Sequence, residues 1–124
     1  MTSHLLTFQP RFADLVASGA KRQTIRRLRA WGMGDTLHLW EGGRTHKVRK
    51  LGVARICWFG AVRIEDCSVL IRDAGTPWRP IEAEDLTPFA WADGFQTAVE
   101  FFSFFRERYG LPFEGVLIRW ESKP

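Results

Sequence analysis

The sequence predicts one small α+β domain spanning residues 1–124, a barrel of about five to six strands flanked by two main helices. Two observations predict it. Strand-like segments follow one another without regular βα alternation, which argues against a parallel sheet. Two segments, near either end, carry apolar residues at helical spacing. A small barrel is the natural way to hide the edges of such a sheet, and a chain of 124 residues, 45% apolar, can bury a core without staples.

The first helix is expected over Pro10 to Ser18. Pro10 suits a first helical position, where its missing N–H costs nothing, and Phe12, Leu15 and Val16 fall on one face. Gly19 is a cheap left-handed stop. Gln23 to Arg27 reads as a strand with Thr24 and Arg26 on one face and Ile25 on the other. Trp31 to Gly34 is a glycine-rich loop, and Thr36 to Glu41 alternates as a strand with Leu37 and Leu39 inward.

Gly42-Gly43 marks a tight hairpin turn. The return runs from Arg44 to about Glu65 as one long bent strand or two, with Gly52 and Gly60 as candidate bulges or bends. Asp66 to Pro80 is the least legible stretch, with turn signals at Asp73 to Pro77 and room for a short strand at Ser68 to Ile71. Pro80 to Pro88, acidic and proline-bounded, reads as a loop with a helical turn.

Thr97 to Arg108 is the clearest helix. Thr97 and Glu100 fit a capping box, and Gly110 and Pro112 end it. A last strand runs from Phe113 to Glu121, with Val116, Ile118 and Trp120 on one face and Leu117 and Arg119 on the other.

No apolar run reaches the roughly 20 residues that span a bilayer. Met1 to Gln9 lacks the basic start and long apolar stretch of a signal peptide. The expected setting is therefore the cytoplasm, with no membrane partner. Cys57 and Cys67 form no CxxC pair and read as buried thiols acting as small apolar residues. His4, His38 and His46 lack metal-ligand spacing, so neither a metal nor another cofactor is expected.

The net charge is +4, and 14 of the 18 basic residues are arginine. Arginine offers a planar fork that pairs with phosphate and stacks on rings. Together with six tryptophans, it suits a nucleoside or RNA as partner. The densest signal is Lys21 to Arg29, in which five of nine residues are basic. Trp91, in a loop near Asp93, is the tryptophan placed to stack on a base.

The segment Phe8 to Arg26, FQPRFADLVASGAKRQTIR, combines an aromatic start, a short helix closing in glycine, then a lysine and a threonine ahead of an arginine. Gly34-Asp35, Asp93-Gly94-Phe95 and Tyr109-Gly110 follow in order. In sequence and spacing these motifs resemble the ASCH domain family, over most of the chain except Asp66 to Pro80. The resemblance implies a barrel similar to the PUA RNA-binding domain, with a cleft between barrel and first helix lined by the basic segment. Phe8, Arg22 and Arg26 would then contact substrate.

One branch of that family cleaves N(4)-acetylcytidine to cytidine and acetate without a metal, using a lysine, a threonine and a glutamate. By motif position these fall on Lys21, Thr24 and Asp93, the last one methylene shorter than the family's glutamate. A threonine hydroxyl needs an adjacent base, and a lysine can be that base if burial or neighbouring cations lower its pKa. Thr24 would be the nucleophile, Lys21 the base and Asp93 the group that orients Lys21 or relays a proton. Arg26 would hold the oxyanion or a phosphate. Two alternatives stay open: a binding module that holds RNA in the same cleft without chemistry, and RNA cleavage there.

Overall fold

A computed structural model of the chain describes residues 2–42 and 48–122. In chain order the elements are β1 (Ser3–Phe8), α1 (Pro10–Ser18), β2 (Gln23–Arg26), β3 (Thr36–Glu41), β4 (Arg49–Ile64), β5 (Val69–Arg72) and β6 (Arg79–Pro80). A 3₁₀ turn (Ala83–Asp85), α2 (Leu86–Ala92), α3 (Ala98–Tyr109) and β7 (Phe113–Ser122) complete it. The α+β class and the elements α1, β2, β3, α3 and β7 agree with the sequence. Among the described residues the strands number seven, where five to six were expected, and a third α-helix joins the two expected.

The sheet is organised by its longest strand. β4 pairs with β3 along its first part and with β5 along its last, while β7 runs antiparallel beside it from Ala54↔Ser122 to Ile64↔Phe113. Beyond β7 lies β2, and beyond β3 lies β1. Sixteen residues can follow one curved path because two register shifts relieve the ladder. One skips Leu51, next to Gly52, and the other skips Cys57. Gly52 thus flanks a bulge as the sequence suggested. Gly60 does not; it leaves room for the indole of Trp58, which a Cβ there would approach within 2.6 Å. The result is a curled half-barrel with one continuous core, in which Leu37, Val62, Ile64, Leu117 and Ile118 are wholly buried.

Several expectations are corrected. Ser3–Phe8 is a strand whose Leu6 and Phe8 face inward, and it pairs parallel to β3. Residues 86–92 continue the single helical turn into a helix, because Pro88 sits in the first turn, where no N–H is needed. Only half of the capping box forms: Thr97 Oγ1 accepts from the Glu100 amide at 3.0 Å, while the Glu100 carboxylate binds Arg11 Nη2 at 2.6 Å. Both cysteines are exposed, Cys57 as the extra residue of a bulge and Cys67 in the turn before β5. The Gly42-Gly43 turn, the start of the return strand at Arg44 and His46 fall wholly or partly outside the described residues. No described helix is long and apolar enough to cross a membrane.

Gly115 sets how closely β7 and β2 approach, since a Cβ there would collide with the main-chain carbonyl of Arg26. Gly115→Ala is expected to lower stability by about 1–3 kcal/mol or more, as overpacking does. Urea unfolding measures it; an unchanged midpoint would mean that β2 can yield without cost.

Candidate functional site

α1 ends in Gly19, whose φ of 84° turns the chain sharply, and the Lys21 amide then bonds to Leu15 O at 2.9 Å. This hook aims the Lys21 side chain inward instead of out to water. Its ammonium lies 5.1 Å from the centre of the Phe12 ring and 5.9 Å from that of Phe8. From the other side comes the C-terminus of α2. Gly94, with φ of 98°, closes that end and lets Asp93 turn back toward Lys21. A Cβ on Gly94 would meet Phe12 at 2.9 Å and Lys21 Cδ at 3.1 Å, so glycine is required there for space as well as conformation.

Lys21 and Asp93 are each 3% exposed. Lys21 Nζ donates to the main-chain oxygen of Asp93 at 2.6 Å and approaches the carboxylate Oδ1 at 3.5 Å. The stronger contact is therefore with the helix-terminal carbonyl, which a cation favours. Gln23 Nε2 also donates to Asp93 Oδ1, at 3.4 Å.

Burial lowers the Lys21 pKa below its ordinary 10.5; Asp93 opposes that shift and Arg26 adds to it. Burial likewise raises Asp93 above 3.8, against the pull of Lys21, Gln23 and Arg26. Desolvation is the larger effect on both, so each group is pushed toward its neutral form.

Thr24 and Arg26 share one face of β2, as the strand period requires. Arg26 Nε donates to Thr24 Oγ1 at 3.1 Å, and Arg26 Nη2 donates to Thr7 O on β1 at 2.9 Å. Among the described residues Thr24 Oγ1 has no other hydrogen bond, so its own O–H remains available to a base. Burial brings Arg26 down to about 10, still charged at neutral pH, and its guanidinium stands 4.8 Å from the centre of the Phe8 ring.

Lys21, Thr24, Arg26, Asp93 and Phe8 all line one cleft with an internal volume of about 80 Å³. That space holds a small acyl group or a few waters, since one water needs roughly 10–15 Å³ on this measure. Arg108 and Tyr109 from the end of α3 stand at the same cleft.

Two expected contacts lie elsewhere. Arg22 is exposed and faces a shallow depression beside Gly19 and Trp120, because successive residues of an extended chain point to opposite sides. Trp91 is 59% exposed and its Nε1 donates to Gln96 O at 2.8 Å. It sits on α2 and not in a loop, and two residues along a helix are about 200° apart around the axis, so it turns away when Asp93 turns in.

Sequence reasoning missed Gln23, Arg108 and Tyr109. Gln23 falls on the face of β2 opposite Thr24, and nothing in the alternation ties it to Asp93. Tyr109-Gly110 did enter as a motif of the family resemblance, but with no role in the site. Comparisons with protein-family models, curated proteins and solved structures found no match to this chain.

Lys21→Met strands a buried carboxylate and is expected to cost about 3–5 kcal/mol, with the Lys21→Met/Asp93→Asn pair recovering much of it. The pH dependence follows from the two shifts. Asp93's contribution to stability is complete below 3.8 and is lost as pH rises through its raised value. That of Lys21 is complete above 10.5 and is lost as pH falls through its lowered value. Urea midpoints measured across pH should therefore be flatter in the double variant; an identical profile would show that neither group titrates with folding.

Proposed function

We propose that the chain is an ASCH-like domain with a PUA-like barrel, and that its cleft hydrolyses the amide of an N(4)-acylated cytidine or a related compound. One observation carries this reading: a desolvated lysine, a threonine hydroxyl and a carboxylate line the same buried cleft. A lysine pushed toward neutrality is what a general base requires.

In the proposed reaction neutral Lys21 takes the Thr24 proton as Oγ1 attacks the acyl carbon. Arg26, which already donates to Oγ1, stabilises the developing negative charge. The C–N bond then breaks and Lys21 returns the proton to the departing cytidine nitrogen. Water, deprotonated by Lys21, attacks the acyl-threonine; the C–O bond breaks, releasing the carboxylic acid and restoring the hydroxyl. Asp93 positions Lys21 chiefly through its main-chain oxygen, with the carboxylate at 3.5 Å. The volume admits the acyl amide, with Phe8 and Phe12 as the apolar wall beside it and Tyr109, at the same cleft, as the ring nearest to the pyrimidine.

A second reading has its own support. Arg27 and Arg108 both lie over Tyr109, at 4.9 and 5.5 Å, so the cleft's mouth pairs cations with a ring as RNA-binding surfaces do. On that reading the domain holds RNA without chemistry.

Purified protein incubated with N(4)-acetylcytidine, without added metal, is expected to release cytidine, detected by chromatography. Thr24→Val and Lys21→Ala should each reduce the rate by at least about a hundredfold. The rate should rise with pH through the lowered Lys21 pKa, placing the acid limb below 10.5. Asp93→Glu should raise turnover if the short carboxylate limits it. Absence of turnover at high enzyme concentration, together with RNA binding weakened by Arg26→Ala, would favour the binding module.

A further inference from the structure

A second and larger depression, of about 920 Å³, shares no lining residue with the Lys21 cleft. It runs along β4 between Trp31 and the segment after β5, over Phe59 and Val116. The bulge in β4 builds it. Ile56 pairs with Trp120 and Trp58 pairs with Arg119, the adjacent residue of β7, so Cys57 is skipped. Without the skip, Ile56 and Trp58 would face the same way. With it, Ile56 enters the core while Trp58 stands half-exposed on the other face, beside Arg119.

Three contacts then fix the indole: Nε1 donates to Asp73 Oδ1 at 3.0 Å, Gly60 leaves space beneath the ring, and the Arg119 guanidinium lies 5.0 Å from its centre.

The same pairing recurs around the groove. Arg29 lies 4.2 Å from the centre of Trp31 and Arg72 lies 4.5 Å from that of Trp78. Arg29 is further held by His4, whose Nδ1 accepts from its Nη2 at 3.3 Å. The indole N–H of Trp31, nine-tenths buried in the groove wall, has no hydrogen-bond partner among the described residues. One carboxylate, Asp73, faces these arginines, and it is already engaged by Trp58 and, at 3.6 Å, by Arg79. The groove therefore offers one half-exposed, fixed indole, that of Trp58, beside planar cations that outnumber its single carboxylate.

We propose that this groove is a second binding site that takes a segment of single-stranded nucleic acid, a base stacking on the half-exposed Trp58 and phosphates meeting Arg29 and Arg72. A guanidinium resting on an indole can swing to a phosphate while the base takes its place on the ring, so little order must be created on binding. The proposal does not depend on the chemistry of the Lys21 cleft.

The test is fluorescence anisotropy of a short fluorescein-labelled single-stranded oligouridylate with the full chain. Trp58→Ala and Arg72→Gln should each weaken binding about tenfold, in the range of one stacked base or one phosphate contact. Trp58→Phe, which keeps a ring, should retain most of the affinity and guards against loss through misfolding. Affinity should fall steeply with added salt. The proposal is overturned if the oligonucleotide does not bind, if the Trp58 and Arg72 variants bind as the parent does, or if Arg26→Ala alone abolishes binding, which would place the strand in the other cleft. It is equally overturned if an acidic peptide displaces the oligonucleotide as readily as unlabelled RNA does, since the groove would then be a protein-docking surface.

Discussion

An ammonium group buried at the junction of α1 and β2 constrains the rest of the molecule. Placing a lysine out of water costs several kcal/mol unless its protons find acceptors. Lys21 finds them only because the last turn of α2 delivers a carbonyl at 2.6 Å and a carboxylate behind it. The left-handed glycines at positions 19 and 94, the rings of Phe8 and Phe12, and Gln23 all serve this one arrangement. Replacing a buried ion pair by apolar side chains of equal size is often neutral or stabilising, so stability alone does not explain a lysine and a carboxylate at this point. That imbalance is the physical ground for treating the cleft as a site.

Arg26 connects the site to the architecture. Among the described residues β2 pairs with β7 and β1 with β3, so no ladder joins β2 to β1. The guanidinium bridges the seam between them, donating to Thr24 on its own strand and to Thr7 O on β1. One side chain thus holds the seam together and places a positive charge beside the threonine hydroxyl. Any change in the seam would be felt in the cleft.

The Lys21 cleft and the groove along β4 use arginine over aromatic rings in different ways. In the cleft Arg26 is anchored by two hydrogen bonds and burial lowers its pKa to about 10, a fixed electrostatic element. Around the groove Arg29 and Arg72 are exposed and rest on indoles. The first pattern suits chemistry at one point and the second suits a mobile polyanion. The arginine bias of the composition hinted at both without separating them.

By itself the sequence determined the elements whose signals are local. Pro10 and Gly19 bound α1, Thr97 and Gly110 bound α3, and alternation marked β2, β3 and β7. The family resemblance of its motifs, rather than any local signal, pointed to Lys21, Thr24 and Asp93, and the strand period added Arg26 beside Thr24. What the sequence could not show were features set by partners far along the chain. β1 is a strand because β3 lies beside it, and Gln23 meets Asp93 across 70 residues. Cys57 is exposed because β7 is one residue short of matching β4, which turns Trp58 outward in the same step. Periodicity records which way each side chain points along an unbroken element; a bulge or a helix in place of a loop resets that phase. Only the packed tertiary structure decides where the resets fall, and with them why Trp91 turns away from the cleft while Asp93 turns in.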